Sequence, residues 1–395
     1  MRPISPEKAA TAPDKSGEID SVPDKSGEID SVPDHGGDIY SVPVALDFSA
    51  NLNFLGMPEA VRRAAEDGVA ASEHYPDPQC RELRAAIARA EQIPVEHILC
   101  GNGAAEMIYA LVQAVRPRRA LLAAPTFSEY GRALMSVECE IRFIPMEEVL
   151  LSSDRTGRTD CLFDPSDTKA RLAFQYPETM TEVVTADTDL VFLCSPNNPT
   201  GLPAERSFLA AMLARCEAVG AVLAVDECFL DFLPDAAAYS VKPYLADHPN
   251  LFVLKAFTKL YAMPGLRLGY GLCSDTALLG RMEAVRPPWS VSIPAQRAGI
   301  AALKEAEYLR RTHALLPPAR EELMRGLAAL GFVVYDSRAN FILFQGSPGL
   351  ADRCLAEGIR IRDCANFRGL GPGYYRVAVR RPEENRRLLE QLAGM

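Results

Sequence analysis

Two lysines stand at the end of an apolar run in the segment LKAFTKLYAMPGLRLGY, which extends from Leu254 to Tyr270. Lys255 and Lys259 are four residues apart, and Arg267 follows them. A lysine amine can bond covalently to a carbonyl carbon, and an arginine guanidinium can hold a phosphate through paired hydrogen bonds. The segment therefore offers a nucleophile and a phosphate contact, with Lys259 and Arg267 in those roles. The alternative is that both lysines are ordinary surface residues.

Two further segments carry polar residues where a predicted strand ends. GNGAAE, from Gly101 to Glu106, is a glycine-rich turn that opens a helix, whose free N–H groups and dipole favour a phosphate. SPNNPTG, from Ser195 to Gly201, contains prolines that prevent a helix and leaves Asn197 and Asn198 exposed. The alternatives are an ordinary helix start for the first segment and a plain turn for the second.

A fourth segment, AVLAVDECF, places Asp226 and Glu227 at the end of a strand with buried character on both faces. A carboxylate in such a place is costly unless a cation or several donors satisfy it. The protonated nitrogen of an aromatic ring would serve. The alternative is an acid that reaches solvent from the strand end. Together the four segments provide what an anionic aromatic cofactor would need.

The elements that must position these residues follow from short apolar runs separated by helical or polar segments. The runs are RALLAAP, DLVFLCSP, AVLAVDE and LFVLKAF. Such alternation predicts an α/β fold with a mostly parallel, doubly wound sheet covered on both faces. Ligands of such sheets bind at the carboxyl ends of the strands. The last part, with GFVVYDSRANFILF, GIRIRDC, YYRVAVR and a closing helix from Pro382, predicts a smaller α+β domain.

The chain begins with a decapeptide repeat, PDKSGEIDSV, at Pro13 to Val22 and again at Pro23 to Val32. These copies contain too little apolar area to offset chain ordering, so we expect residues 1–34 to be a disordered tail. We expect residues 35–75 to form an N-terminal lid or arm that packs with the small domain or a dimer interface. The large domain is predicted at 76–290 and the small domain at 291–395.

Composition excludes several classes of function. The 395 residues carry a net charge of −10, which disfavours a nucleic acid or an anionic membrane as partner. The ten cysteines form no C-x-x-C pair, so we expect neither a disulfide framework nor a metal site. The sequence shows no signal peptide and no apolar run of the ~20 residues that a spanning helix needs. We expect a cytoplasmic protein.

The order of the four segments resembles that in fold type I pyridoxal-phosphate (PLP) enzymes of the aminotransferase class, from about Asp47 to the C-terminus. The spacing T-K-x-x-x-x-P-G-L-R-L-G-Y carries the resemblance most specifically. It implies that Lys259 binds the cofactor covalently and that Lys255 is a bystander. It also implies that Asp226 pairs with the ring nitrogen and that a homodimer forms. The remaining cofactor contacts implied by the resemblance are Asn198 at the ring hydroxyl, Phe127 stacked on the ring, Gly103, Ala104, Thr258 and Arg267 at the phosphate, and Tyr75 from the partner subunit.

Two subfamilies fit, the histidinol-phosphate aminotransferases and the threonine-phosphate decarboxylases of cobalamin biosynthesis. The segments HGGDI, LDFSANLNFLGMP, RPPWSV, RDCANF and YYRVAVR resemble the decarboxylases more closely. Phe229 stands where the aminotransferases usually have tyrosine, and Ala256 stands where relatives often have a hydroxyl residue. Both subfamilies bind a small phosphorylated substrate. The substrate contacts that the resemblance implies are His35, Asn53, Asn198, Arg362 and Arg376.

The decarboxylase resemblance implies conversion of L-threonine O-3-phosphate to (R)-1-amino-2-propanol phosphate and CO₂. L-Serine O-phosphate is a second candidate substrate, because the two differ by one methyl group and such discrimination is typically only ~1–3 kcal/mol. Two alternatives remain open. One is the histidinol-phosphate aminotransferase reaction, and the other is a PLP-binding protein without catalysis.

Overall fold

The computed structural model describes residues 36–151 and 171–395. Its large sheet has the strand order β2-β10-β9-β8-β7-β3-β4. The strands are β2 (Ile98–Gly101), β3 (Arg119–Ala124), β4 (Glu140–Pro145), β7 (Leu190–Cys194), β8 (Val222–Asp226), β9 (Leu251–Ala256) and β10 (Gly269–Leu272). Strand β10 pairs antiparallel with both of its neighbours, and the other pairs are parallel. The predicted mostly parallel sheet is confirmed.

Both faces of this sheet are buried, as the near-continuous apolar runs predict. Along β3, Leu121 and Ala123 belong to one apolar core, whereas Ala120 and Leu122 belong to another on the opposite face. The helices around the sheet are α1 (Glu59–Ala70), α2 (Arg81–Glu91), α3 (Gly103–Val115), α4 (Ser128–Met135), α5 (Arg206–Val219), α6 (Phe257–Leu260), α7 (Thr276–Val285) and α8 (Ile293–Ala302). The result is the doubly wound arrangement with ligand-accessible strand ends.

A second sheet of four strands has the order β11-β12-β15-β14 and is antiparallel throughout. Its strands are β11 (Val333–Val334), β12 (Phe341–Gln345), β14 (Arg362–Asp363) and β15 (Tyr374–Ala378). The helices α9 (Ala306–Ala329), α10 (Leu350–Ala356) and α11 (Pro382–Ala393) share an apolar core with it. A separate hairpin joins β5 (Glu147–Leu151) to β6 (Arg171–Gln175). This second sheet matches the α+β part expected near the C-terminus.

The front of the described chain joins this second sheet. Strand β1 (Leu46–Asp47) pairs in parallel with β13 (Ile359–Arg360), and the N–H of Ala378 donates to the carbonyl oxygen of Phe48 at 2.7 Å. Helix α8 begins just after the expected boundary at residue 290, yet it packs against α1 and α2 beside the large sheet. The domain limits remain predictions. No helix among the described residues is both long and apolar enough to cross a membrane.

Candidate active site

Parallel pairing brings the ends of three strands to one edge of the large sheet. Cys194 at the end of β7 lies opposite Asp226 at the end of β8, and Asp226 lies opposite Leu254 on β9. The asparagine-containing turn follows β7, and α6 with Lys259 follows β9. Asn197 and Asn198 in this turn are buried, so the expectation that they are exposed is wrong. The chemistry-bearing residues of three sequence segments therefore meet at the carboxyl edge, where ligands bind in such folds.

Asp226 is a buried carboxylate with a defined set of donors. Its side chain is only 6% exposed, so the interpretation of a solvent-reaching acid is wrong. The hydroxyl of Tyr130 donates to Oδ2 at 2.6 Å, and the backbone N–H of Cys228 donates to Oδ1 at 2.8 Å. Burial raises the pKa of Asp226, while the hydrogen bonds from Cys228 and Tyr130 and the charge of Lys259 oppose that rise. Such a carboxylate would be stabilised by a cation.

Tyr130 was not predicted as a site residue. It lies three positions after Phe127, near the start of α4, and its ring contacts that of Phe127 edge-on at 5.6 Å between centroids. The spacing of two aromatic residues in PTFSEY was the available signal, because residues three apart on a helix are neighbours on its surface. The acid that Tyr130 contacts is 96 positions away, which no local pattern encodes.

Lys259 has an amine that is easier to deprotonate than that of an ordinary lysine. It is half-buried on α6. Burial lowers the pKa of Lys259 to about 8, and the positive charges of Arg376 and Arg267 contribute to the decrease, against the charge of Asp226. A larger neutral fraction makes the amine a better nucleophile near neutral pH. Lys259 and Asp226 thus lie within electrostatic reach of each other.

Lys255, by contrast, is held as a cation. Its Nζ atom lies 3.0 Å from Oδ1 of Asp231 and 3.2 Å from Oε1 of Glu91. Burial disfavours the charged amine, but the carboxylates of Asp231 and Glu91 outweigh it and raise the pKa of Lys255. The alternative that both lysines are surface residues is therefore wrong for Lys255, which is buried.

The glycine-rich turn and Arg267 form a close-fitting cradle. Gly103 begins α3 with φ +79°, and a Cβ there would lie 2.6 Å from Nη2 of Arg267. A Cβ on Gly269 would lie 2.5 Å from the backbone nitrogen of Ala104. Gly103, Ala104 and Arg267 therefore lie close together. Helix N–H groups beside a guanidinium suit a phosphate, and contact of these residues with the cofactor phosphate stays a prediction. Thr258 is buried at the start of α6.

Glu106 ties this cradle to a neighbouring loop. Its Oε2 atom accepts from the N–H of Asn102 at 2.7 Å and from the hydroxyl of Ser290 at 3.0 Å. The preceding residue, Trp289, contacts the ring of Tyr75 with 4.8 Å between centroids. Tyr75 is 80% exposed, so its hydroxyl is available to another chain, and its contact with a partner's cofactor stays a prediction.

Two arginines face each other on the second sheet. Arg362 on β14 lies directly opposite Arg376 on β15, and both are buried. Arg376 donates to Oδ1 of Asn198 and, at 3.0 Å, to the carbonyl oxygen of Ser49. Burial lowers the pKa of Arg376 to about 10, and the charge of Arg362 contributes. Two cations held this close favour an anionic ligand between them and Asn198.

The Nε atom of Arg376 strengthens that inference, because it is buried and has no hydrogen-bond partner among the described residues. Arg362 donates to Oδ1 of Asn366 at 2.8 Å. Beneath the guanidinium of Arg376 lies the ring of Phe341, 5.4 Å from its carbon Cζ, and Phe229 contacts that ring edge-on. Because Phe229 is a phenylalanine, it offers no hydroxyl group beside Phe341 and Arg376.

Of the two predicted substrate contacts near the start of the chain, the structure describes Asn53 but not His35. The side chain of Asn53 donates to Oγ1 of Thr312 at 2.8 Å and accepts from the N–H of Leu55 at 3.1 Å. Its own N–H donates to the carbonyl oxygen of Lys259 at 3.1 Å, which places the segment beside that lysine. A substrate contact by Asn53 stays a prediction. His35 lies outside the described residues.

These residues fit a phosphorylated pyridine aldehyde. The tight cradle at Gly103 and Arg267 suits its phosphate, and the buried Asp226 suits a protonated ring nitrogen. The amine of Lys259 suits its aldehyde. The unpartnered Nε of Arg376 leaves a donor for a second anion, carried by a substrate.

Comparison with known proteins agrees with this geometry. Residues 43–392 match the family described as aminotransferase class I and II. The threonine-phosphate decarboxylase of Salmonella typhimurium is 40% identical over 354 residues, which are 89% of this chain and 91% of that protein. The histidinol-phosphate aminotransferase of Symbiobacterium thermophilum is 31% identical over 347 residues, 87% of this chain and 88% of that protein.

The fold is also found in solved structures. The histidinol-phosphate aminotransferase from Clostridium acetobutylicum superimposes with a TM-score of 0.76 at 26% sequence identity. The superposition covers 88% of this chain and 98% of that chain. The expectation of a fold type I α/β enzyme is confirmed.

Proposed function

The chain belongs to the aminotransferase class I and II family, and we propose that it is a threonine-phosphate decarboxylase that uses pyridoxal 5′-phosphate. The proposed reaction converts L-threonine O-3-phosphate to (R)-1-amino-2-propanol phosphate and CO₂ in cobalamin biosynthesis. The observation that carries the proposal is the opposed pair Arg362 and Arg376 at the edge of a site that holds Lys259 and Asp226. A substrate with both a phosphate and a carboxylate supplies two anions for these two cations.

The residues of the large sheet would hold the cofactor. Lys259 would bind its aldehyde covalently, and Asp226 would face its ring nitrogen. Gly103, Ala104, Thr258 and Arg267 would contact its phosphate, Phe127 its ring face and Asn198 its ring hydroxyl. When bound, pyridoxal 5′-phosphate supplies an electron-accepting ring that takes up the electrons released when a bond at the substrate Cα breaks.

The substrate's orientation decides which bond at Cα breaks, because only a bond perpendicular to the ring plane overlaps its π system. Arg362 and Arg376 would bind the phosphate and the carboxylate and so set that orientation. Loss of CO₂ leaves an electron pair at Cα, to which the ammonium form of Lys259 can return a proton. The pKa of about 8 keeps both forms of this amine populated near neutral pH.

The comparisons favour decarboxylation over amino transfer. The relative named threonine-phosphate decarboxylase shares more identity with this chain than does the histidinol-phosphate aminotransferase. Phe229 is consistent with this choice, since it offers no phenol beside the cofactor. Decarboxylation consumes no 2-oxo acid.

Further parts of the proposal concern the surroundings of the site. His35 and Asn53 would close over the substrate phosphate, and L-serine O-phosphate would serve as a second substrate. The exposed side chain of Tyr75 supports a homodimer in which each subunit completes the other's cofactor site. We propose a cytoplasmic location, because the substrate and the cofactor are small intracellular phosphate esters.

The test is product analysis. PLP-loaded protein is incubated in parallel with phosphothreonine, phosphoserine and histidinol phosphate, and the products are identified by mass spectrometry. We expect CO₂ and the amino alcohol phosphate from phosphothreonine without any added 2-oxo acid. Turnover only with 2-oxoglutarate or glutamate, and no CO₂, would establish the aminotransferase alternative. A cofactor absorption band without turnover of any of the three would indicate a binding protein.

A further inference from the structure

Tyr130 combines a fully buried phenol with a polar contact in the centre of the site. It is 0% exposed, and its hydroxyl donates to Oδ2 of Asp226 at 2.6 Å. Its ring is stacked on that of Phe192, with 4.9 Å between centroids and 7° between planes. The ring of Tyr130 also contacts the ring of Phe127 edge-on. Packing therefore fixes the ring, and the ring fixes the hydroxyl.

Asp226 accepts hydrogen bonds from Cys228, through its backbone N–H and its thiol, and from the hydroxyl of Tyr130. Oδ1 accepts the backbone N–H of Cys228, and Oδ2 accepts the phenol. Hydrogen bonds to a carboxylate favour its charged form. Burial raises the pKa of Tyr130 well above its ordinary value, with the charge of Asp226 adding to the rise, so the phenol remains a donor. Tyr130 is thus the side chain that donates to Oδ2 and helps to keep Asp226 ionised.

Other titratable groups also face Asp226, and among them the thiol of Cys228 is a further donor to it. Cys194 lies at the end of the adjoining strand, and Tyr176 donates to its carbonyl oxygen. Cys228 follows two residues after Asp226, and Lys259 approaches from α6. The thiols and the second phenol are neutral near pH 7, since burial raises the pKa of each. Lys259 is the one positive neighbour among these groups, and it is reserved for the cofactor aldehyde.

We propose that Tyr130 is a positioning residue that keeps Asp226 ionised and aligned with the ring nitrogen of the cofactor. The inference rests on the proposed use of PLP but is independent of which substrate is decarboxylated. Because Tyr130 contacts both Asp226 and Phe127, it would position both residues that face the cofactor ring.

The experiment compares the full-length PLP-loaded wild type with Tyr130→Phe, which keeps the stacked ring and removes only the hydroxyl. The readouts are the pH titration of the bound cofactor's absorbance and the dissociation constant of PLP. We expect the acid-side midpoint to rise by about one pH unit and PLP affinity to fall about tenfold, because Asp226 becomes protonated more easily. The melting temperature should change by only a few degrees.

Two controls separate this role from packing. Tyr109→Phe removes another phenol that contacts a carboxylate, that of Glu129 at 3.5 Å, and should leave the midpoint unchanged. Phe192→Leu loosens the stacked ring without touching the phenol, and should lower the melting temperature more than it moves the midpoint.

An unchanged midpoint and affinity in Tyr130→Phe would overturn the proposal, and so would a shift equally large in Phe192→Leu. Failure of Tyr130→Phe to fold would also count against it, because the hydroxyl would then serve the fold. The wild-type arm is judged separately. If the wild type binds no PLP, the proposed function fails, whereas the difference between the variants decides the role of Tyr130.

Discussion

Lys255 and Lys259 are four residues apart, and their surroundings give their amines opposite properties. The amine of Lys255 lies between Asp231 and Glu91 and is held as a cation. Burial lowers the pKa of Lys259, and the positive charges of Arg376 and Arg267 add to the decrease. Burial without a paired carboxylate therefore leaves the amine of Lys259 easier to deprotonate, whereas two carboxylates hold Lys255 as an ion.

The lowered pKa of Lys259 predicts how cofactor attachment depends on pH. The neutral amine is the reactive form, so the attachment rate should rise with pH and level off above a midpoint near 8. An unperturbed lysine would continue to gain up to about pH 10.4. The measurement is the initial rate of PLP attachment to the cofactor-free chain, followed by absorbance. A rate that still climbs at the higher value would contradict the lowered pKa.

We expect substitution of Lys255 to lower the stability of the fold rather than to change the chemistry of the site. Burial raises the pKa of Glu91, but the charges of Lys255 and Lys242 outweigh it and lower that pKa to about 2. Lys255→Met removes one of these two charges from the buried carboxylate. We expect the free energy of unfolding to fall by ~3 kcal/mol, as for other broken buried pairs. Urea unfolding measures the change, with Lys304→Met as a surface control. A variant as stable as the wild type would show that the pair is solvated.

At the scale of elements, short strand pairings create the anion site. The register of β14 against β15 places Arg362 opposite Arg376, and two hydrogen bonds tie Arg376 to Asn198 and Ser49. The site therefore joins the second sheet to the turn after β7 and to the segment after β1. A shift of either strand by one residue would turn one guanidinium to the other face.

The start of α3 gives a prediction with a matched control. Gly103→Ala forces a side chain into a left-handed conformation and against the guanidinium of Arg267, so cofactor affinity should fall about tenfold. Gly280→Ala, within α7 and with no atom near the new Cβ, should leave affinity unchanged and stabilise the helix by ~0.5–1 kcal/mol. PLP titration and thermal unfolding measure both effects. Equal affinities in the two variants would exclude the predicted cradle.

At the scale of the whole molecule, Tyr75 provides a test of the proposed homodimer with shared sites. If this exposed residue completes the partner's site, mixing Tyr75→Ala with Lys259→Ala should regenerate a site with both native residues. Each variant alone should be impaired, and random reassociation should restore roughly a quarter of the native sites in a two-fold dimer. Activity after mixing and reassociation gives the measurement. No recovery, with dimers confirmed by sedimentation, would place Tyr75 in its own subunit's site or outside any site.

The sequence by itself determined the α/β class, the four central strands β9, β8, β7 and β3 of the large sheet and the segments that meet at its carboxyl edge. Apolar runs, glycine turns and the lysine motif are local patterns, so they are recognisable from neighbouring residues in the sequence. Lys259, Asp226 and Arg267 were predicted on that basis and lie together in the structure.

Only the tertiary structure decided which side chains satisfy one another. Tyr130 contacts an acid 96 positions away, Lys255 pairs with Glu91 on another element, and the strand containing Leu46 joins β13 near the C-terminus. Asn53 turned out to be hydrogen-bonded to Thr312, 259 positions along the chain. Such contacts depend on how helices and sheets pack, and that packing is set by the whole core rather than by neighbours in sequence.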